Sequence, residues 1–207
     1  MDTSKWTPNW FGGAGPVNSA EAAGYSSSHL SVSGGYLSMT LTNDSIYSPK
    51  LGKTLPYTGA LLTTQPAGQF KITPPYRIEA RMYLPPSGSN VANWPAFWSN
   101  GNSWPTDGEN DVMEGLGGDA CWHYHSPLGG PGDCASGNLS GWHTFASEVQ
   151  NGIATYYYDG NRVGSITQGI TTSPHYLLLQ QSISDHHPET NLLPATVLVD
   201  YVRVTRP

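Results

Sequence analysis

Residues 108–115 read Gly-Glu-Asn-Asp-Val-Met-Glu-Gly and hold three of the chain's fifteen acidic residues. Charged residues make up only 12% of the sequence, so this clustering needs a physical reason. Side chains alternate between the faces of a β-strand, which places Glu109 and Asp111 together but sends Glu114 to the opposite face. One extra residue at Val112-Met113, a β-bulge, returns Glu114 to the face of the other acids. The stretch therefore predicts a bulged strand with three carboxyl groups on one concave face.

A row of carboxyl groups suits the cleavage of glycosidic bonds. Retaining glycosidases hold two carboxyl groups about 5–5.5 Å apart. Glu109 and Glu114 are separated by roughly four strand rises of ~3.3 Å, a gap that two leaning side chains can largely close. Asp111 lies between them, where its charge helps to keep a proton on a neighbour that acts as an acid. For this motif taken by itself, a solvated acidic strand or a calcium loop remains the alternative.

Length and composition limit the fold and the partners. A chain of 207 residues suits one all-β domain, residues 1–207, and 24 glycines with 17 prolines favour short strands and turns over long helices. The net charge of −6, without a basic cluster, argues against a nucleic-acid partner. The sequence has no run of 18 apolar residues that could cross a membrane. Seven tryptophans and twelve tyrosines are typical of sugar-binding proteins, although many such rings belong to the core.

Alternating apolar and polar residues predict a series of short strands. The clearest is Tyr76–Leu84, where every second residue is apolar. The other predicted strands are a hairpin over 29–42 and single strands near 57–64, 109–114, 121–125, 142–149, 153–159, 162–167, 176–183 and 195–205. The pattern predicts a two-sheet antiparallel sandwich, with residues 1–27 as an irregular segment that wraps it.

Cys121 and Cys134 are the only two cysteines, and they enclose a loop rich in glycine and proline. A disulfide is predicted if the protein is secreted, whereas two reduced thiols would indicate a cytosolic protein. Met1 stands before Asp-Thr-Ser like an initiator added to a mature sequence. This predicts an extracellular protein whose leader is absent from the chain.

A set of motifs in fixed order carries a resemblance to a known family. The motifs are Arg77–Arg81 with Leu84-Pro85, Trp94–Trp98, Trp104-Pro105, Gly108–Glu114, His123-Tyr124, Trp142-His143, Tyr158–Gly160 and Val199–Val204. Over roughly residues 57–205 the chain resembles glycoside hydrolase family 16, the laminarinase and lichenase family. The resemblance implies a concanavalin A-like β-jelly roll with a concave substrate cleft. It also implies a retaining endo-β-glycanase that cleaves β-1,3 or mixed β-1,3/1,4 glucan.

The resemblance also assigns roles by position. Glu109 falls on the nucleophile, Glu114 on the acid/base and Asp111 on the assisting carboxylate. The substrate-binding candidates lie around the same cleft, and they are Trp98, Trp104, His123, Trp94 and Asn93. Trp98 and Trp104 are expected to stack on sugar rings, and His123 to contact the substrate near the nucleophile. For Trp94 a position in the core is the alternative.

Two departures from the family leave the glycan open. Asn110 stands where the family usually has an apolar residue, and the Cys121–Cys134 loop is outside the family pattern. A hydrolase of another polysaccharide, such as a β-galactan or an unusual bacterial glycan, is therefore the second hypothesis. A glycan-binding lectin on the same fold is the third, although all three catalytic acids are present.

No cofactor is expected to be required, and the expected partner is a polysaccharide or oligosaccharide bound by a monomer. Asp200 is a candidate ligand for a structural calcium ion on the convex side, with an ordinary surface aspartate as the alternative. His123, His125 and His143 could together bind zinc, but substrate contact by His123 is favoured.

Overall fold

The computed structural model describes residues 1–10, 15–65 and 70–207. These residues form two large sheets and two short hairpins. The strands are, in chain order, β1 (Thr7–Pro8), β2 (Ala23–Tyr25), β3 (Leu30–Ser33), β4 (Tyr36–Leu41), β5 (Ile46–Ser48), β6 (Lys53–Leu55), β7 (Tyr57–Thr63), β8 (Tyr76–Leu84), β9 (Pro86–Ser87), β10 (Asn90–Val91), β11 (Trp94–Asn100), β12 (Glu109–Leu116), β13 (Asp119–His125), β14 (Gly132–Ala135), β15 (Gly141–Gln150), β16 (Ile153–Tyr158), β17 (Asn161–Ile166), β18 (Tyr176–Ser182) and β19 (Ala195–Thr205). Short 3₁₀ turns cover Ser27–His29 and Pro188–Thr190.

The first sheet has eight strands in the order β1-β7-β18-β11-β12-β13-β14, with β2 joined to β7. The second has seven strands in the order β17-β16-β15-β8-β19-β4-β3. Their pairings are antiparallel except for β2 with β7. The predicted jelly-roll sandwich is confirmed, and among the described residues no helix is long and apolar enough to cross a membrane.

The core lies between the two sheets and is built by strand alternation. In β8 every second residue from Tyr76 to Leu84 is buried, as the sequence pattern predicts. These residues pack against Phe97 of β11, Val112 and Met113 of β12, and Phe145 of β15 in one cluster. Since β12 gives consecutive residues to this core, its alternation must break there.

The register of β12 shows the break. On one side Asp111 pairs with Trp98 and Met113 with Phe97, so Val112 is an extra residue. On the other side the pairing with β13 shifts between Asp111 and Glu114. Val112 and Met113 are both fully buried, so Glu109, Asp111 and Glu114 share the opposite face of the sheet. The predicted bulge is confirmed.

The prediction that residues 1–27 are irregular needs correction. Both β1 and β2 pair with the same edge of β7, β1 with its C-terminal end and β2 with its N-terminal end. An open edge leaves backbone N–H and C=O groups without partners, and the N-terminal segment supplies partners for them. Residues 11–14 of this segment lie outside the described residues.

Candidate active site

A cleft of about 660 Å³ lies on the outer face of the eight-stranded sheet. Its floor is formed by residues of β11, β12, β13 and β18, and one wall by Trp10 and by Val17, Asn18 and Ala20. All three acids of β12 line this cleft, together with His123 and His125. The bulge therefore brings the predicted carboxyl groups into one concave site.

Asp111 is the centre of the carboxyl row. One of its oxygens lies within 4.8 Å of a Glu109 oxygen and a nitrogen of His125, and one lies within 4.8 Å of a Glu114 oxygen and a nitrogen of His123. By distance alone, either group of three could hold a metal ion. Asp111 is only 3% exposed, so the row is largely shielded from water.

Burial and like charge govern the protonation of this row. Burial raises the pKa of Glu109 to about 9, the charge of Asp111 adds to the rise, and His125 opposes it. Burial also raises the pKa of Asp111 well above its usual range, with a further contribution from Glu114. No lysine or arginine occurs among the described residues that line the cleft. Glu109 therefore keeps its proton at neutral pH, and His125 is the lining side chain that opposes this effect.

Each end of the row has its own imidazole. His123 Nδ1 lies 3.0 Å from Glu114 Oε2, while the Trp94 indole N–H donates to Glu114 Oε1 at 3.2 Å. His125 Nε2 lies 3.3 Å from Asp111 Oδ2 and 3.8 Å from Glu109 Oε1. The sequence motifs gave His125 no role towards these acids. Its alternation with His123 on one strand face was the available signal.

Asn110 points into the core, away from the carboxyl row, and is fully buried. Its side-chain amide donates to Ser147 Oγ at 3.0 Å and to the Tyr76 hydroxyl at 3.4 Å, both in the facing sheet. A buried amide is tolerated where it has such partners. The polar residue that departs from the family pattern is therefore accommodated by a polar bridge between the sheets.

The two predicted stacking tryptophans differ in exposure. Trp104 is 60% exposed at the cleft and presents a free aromatic surface. Trp98 lines the cleft but is only 4% exposed, and its ring meets Trp10 edge-on at 5.5 Å. Trp104 is therefore the broader platform for a sugar ring.

Asn93, another predicted substrate contact, is not among the described residues that line the cleft. Its amide donates to the Leu192 carbonyl at 3.0 Å and accepts from the Leu192 N–H at 2.8 Å. Both ends of the amide therefore hold the adjoining loop. Trp94 lines the cleft, where its indole N–H donates to Glu114 Oε1.

The remaining metal candidates are separated from each other. His143 lies on β15, where its Nδ1 is 2.6 Å from Asp159, so it does not join His123 and His125. Asp200 pairs with Arg81 Nη1 at 2.9 Å. Within the described part of the chain, the groups of three or more metal-ligating side chains lie in the cleft and exclude Asp200.

Cys121 and Cys134 form a disulfide, as predicted. They are direct partners in the register of β13 and β14, and β14 extends the cleft-bearing sheet by one strand. Gly130, within the loop that the disulfide closes, lines the cleft. The loop outside the family pattern is therefore part of the site.

Glu21 supports the opposite wall from a buried position. Its carboxylate accepts from the backbone N–H groups of Val17 at 2.9 Å and Asn18 at 3.2 Å, from Ser182 Oγ at 2.9 Å and from the Tyr25 hydroxyl. Burial raises the pKa of Glu21 from 4.5 to about 7, although these donors oppose the rise. One buried carboxyl group thus fixes the chain segment that closes the cleft.

This raised pKa predicts a pH-dependent stability. Between pH 4.5 and about 7 the unfolded chain releases the Glu21 proton before the folded protein does, so stability falls as pH rises. The full loss is roughly 3 kcal/mol, complete above pH ~7. Urea unfolding of wild type and Glu21→Gln across pH 4–8 should show the variant gaining stability relative to wild type over this interval. A difference that is constant with pH would contradict the prediction.

Residues 80–124 match the family model described as the XgeA-like catalytic GH16 domain. The catalytic domain of an endo-1,3-β-glucanase (laminarinase) from Thermotoga petrophila superposes with a TM-score of 0.80 at 25% identity, over 99% of this chain and 92% of that one. The resemblance to glycoside hydrolase family 16 is confirmed.

Two further matches concern the fold and a short segment of the sequence. The endo-β-1,3-glucanase of Pyrococcus furiosus superposes with a TM-score of 0.78 at 24% identity, over 99% of this chain and 89% of that one, which shows the shared fold. A probable endo-1,3(4)-β-glucanase of Aspergillus niger is 62% identical over 29 residues, which are 14% of this chain and 4% of that protein. The matched segment is therefore a small part of this curated relative.

Proposed function

We propose that the protein is a retaining endo-β-glucanase that hydrolyses internal β-1,3 or mixed β-1,3/1,4 linkages. The observation that carries the proposal is the bulge that sets Glu109, Asp111 and Glu114 in one row in a cleft beside an exposed tryptophan. The Thermotoga petrophila structure is a laminarinase, and the Aspergillus niger relative is a probable endo-1,3(4)-β-glucanase. Both names support a β-glucan as the substrate.

The reaction takes two displacements. Glu114 donates its proton to the glycosidic oxygen while the Glu109 carboxylate attacks the anomeric carbon, which releases the leaving sugar as an alcohol and forms a glycosyl ester. Glu114 then takes a proton from water as the water attacks the same carbon. This step breaks the ester and frees the Glu109 carboxylate, so the anomeric configuration is retained.

The proposed roles place an electrostatic demand on the site. In the free protein, Trp94 and His123 lie at hydrogen-bond distance from the Glu114 carboxyl group. Burial and the charge of Asp111 meanwhile favour the protonated form of Glu109. The attack on carbon needs the opposite arrangement, with Glu109 ionised and the proton on Glu114. A positive charge on His125, which faces both Glu109 and Asp111, favours that arrangement.

Substrate placement follows from the cleft lining. Trp104 offers an exposed ring for stacking on a sugar face, and Gln180 offers an amide for its hydroxyl groups. The cleft is a surface groove rather than a closed pocket, which suits attack within a polymer chain.

The disulfide supports secretion of the protein, and a monomer is sufficient because the described site is formed by one chain.

A different polysaccharide is the second candidate. The disulfide loop contributes Gly130 to the cleft. This loop is not part of the family pattern on which the expectation of a β-glucan substrate rests. A neighbour of the same fold, with a TM-score of 0.80 at 21% identity, is one of the endo-acting O-glycanases that initiate mucin breakdown. The fold thus accommodates other glycans.

A polysaccharide panel tests the proposal. We expect release of new reducing ends from laminarin and lichenan, and proton NMR should show the β-anomer of the product before mutarotation sets in. Release from another polymer alone would favour the second candidate. Binding without turnover would indicate a lectin, and an α-anomer as first product would contradict retention.

A further inference from the structure

Residues 126–134, here called the clamp loop, lie along the edge of the eight-stranded sheet. Bonds hold this loop near both of its ends. At the start, the backbone N–H of Ser126 donates to the Gly129 carbonyl at 2.8 Å and the N–H of Gly129 donates back at 2.9 Å. At the end, Cys134 is joined to Cys121, and the Tyr124 N–H donates to the Pro131 carbonyl at 3.0 Å. The first pair of bonds closes a turn within the loop, and the disulfide and the Tyr124 bond tie its end to β13.

Gly130 brings the clamp loop into contact with His125. A Cβ atom added at Gly130 would lie 2.2 Å from His125 Nδ1 and 2.4 Å from Cε1, closer than side-chain contacts allow. Gly130 is absent from the glycines with positive φ, so the position needs glycine for space and not for its backbone conformation. The backbone of Gly130 therefore rests directly on one side of the imidazole.

The other side of the same imidazole meets the acids. His125 Nε2 is 3.3 Å from Asp111 Oδ2 and 3.8 Å from Glu109 Oε1, and its ring stacks on that of His123 with centroids 5.9 Å apart. The ring therefore lies beside the loop, a second imidazole and two carboxyl groups. Because the described cleft lining has no lysine or arginine, the location of this ring decides where positive charge reaches Glu109.

We propose that the clamp loop positions His125 against Glu109 and Asp111, with Gly130 as the positioning residue and the Cys121–Cys134 disulfide as its anchor. This inference rests on the proposed function, since it concerns the ionised form of Glu109 that attacks the sugar. Held at these distances, His125 opposes the rise that burial causes in the pKa of Glu109. If the ring moves away, less of the enzyme carries Glu109 in its reactive form.

Imidazole NMR tests the contact without any substrate. Gly130→Ala is expected to shift the His125 ring signals, assigned by their loss in His125→Ala, because the new methyl group displaces the ring. Leu128→Ala is the matched control, since Leu128 lies in the same loop and is 74% exposed. Paired Cys121→Ser and Cys134→Ser substitutions form a second variant that frees the anchor without adding an atom beside the ring, and the same signals should shift.

Kinetics on the preferred glycan then separate positioning from general destabilisation. Gly130→Ala is expected to lower kcat/KM roughly ten- to a hundredfold through displacement of the ring, while Leu128→Ala retains wild-type activity. In the His125→Ala background, Gly130→Ala should cause no further loss, because the group it displaces is gone. A merely structural role would instead lower activity by a similar factor in both backgrounds.

The outcomes distinguish this inference from the proposed function. Unchanged His125 signals in both Gly130→Ala and the cysteine variant would overturn the clamp, and so would independent losses in the double variant. If the variants show shifted His125 signals but the wild-type protein hydrolyses no polysaccharide, the clamp would be supported and the proposed function rejected. Shifted signals with the expected loss of kcat/KM would support both.

Discussion

Glu109→Gln is expected to lower kcat on laminarin or lichenan by a factor on the order of 10⁵, because a side-chain amide cannot form the glycosyl ester. The fold should remain intact. Burial raises the pKa of Glu109 to about 9, so near pH 7 the folded protein retains a proton that the unfolded chain has lost, which disfavours folding. Glutamine carries no such charge, and the free energy of unfolding should stay equal to that of wild type or increase.

The measurement is steady-state release of reducing ends together with urea unfolding. Glu148→Gln is a matched control, because it is the same substitution on β15 of the facing sheet, outside the cleft lining. This control should retain wild-type activity. Full activity of Glu109→Gln would reject the assignment, whereas loss of activity together with loss of folding would call for the next experiment.

Azide rescue determines which glutamate is the nucleophile. With an aryl oligosaccharide substrate, Glu109→Gly is expected to regain turnover in azide and to yield the α-glycosyl azide, because azide enters from the face that the carboxylate has left. The product stereochemistry is read by proton NMR. A β-glycosyl azide from this variant would show that Glu109 is the acid/base and that the two roles are reversed.

The sequence was sufficient for the parts of the site that depend on strand periodicity. Alternation in Tyr76–Leu84 and the misplacement of Glu114 by simple alternation predicted the half-buried strand and the bulge, since both follow from a repeat of two. Its motifs, compared with a known family, predicted the jelly roll, and the roles proposed for the three acids rest on the same comparison. These features are local or recur in order along the chain.

Features that depend on distant contacts were not predictable in this way. The pairing of β1 and β2 with β7 depends on which sheet edge is open, and the cover that Trp10 gives Trp98 depends on that pairing. His125 was visible as a neighbour of His123, but its contact with Asp111 depends on how β13 pairs with the bulged β12. Such contacts follow from topology and register rather than from spacing in the sequence.

Glu114→Gln should affect substrates according to their leaving groups. On polysaccharide, the loss of the proton donor is expected to lower kcat/KM by about 10²–10⁴-fold. In an aryl oligosaccharide with an acidic phenol, the phenol can leave without being protonated. Formation of the glycosyl ester from this substrate should therefore be slowed far less. The measurement is the ratio of the two losses, taken from initial rates on lichenan and the pre-steady-state burst of phenol.

Trp94→Phe sharpens the test of this acid. The substitution keeps an aromatic ring in the cleft but removes the indole N–H that donates to Glu114 Oε1. It should therefore lower polysaccharide turnover less than Glu114→Gln does, with the same preference for the aryl substrate. If Glu114→Gln slowed polysaccharide cleavage and the phenol burst by equal factors, Glu114 would be acting on binding or folding and not as the proton donor. The acid would then have to be sought in Glu109, whose pKa of about 9 keeps it protonated in the free protein, or in Asp111, whose pKa is raised by burial.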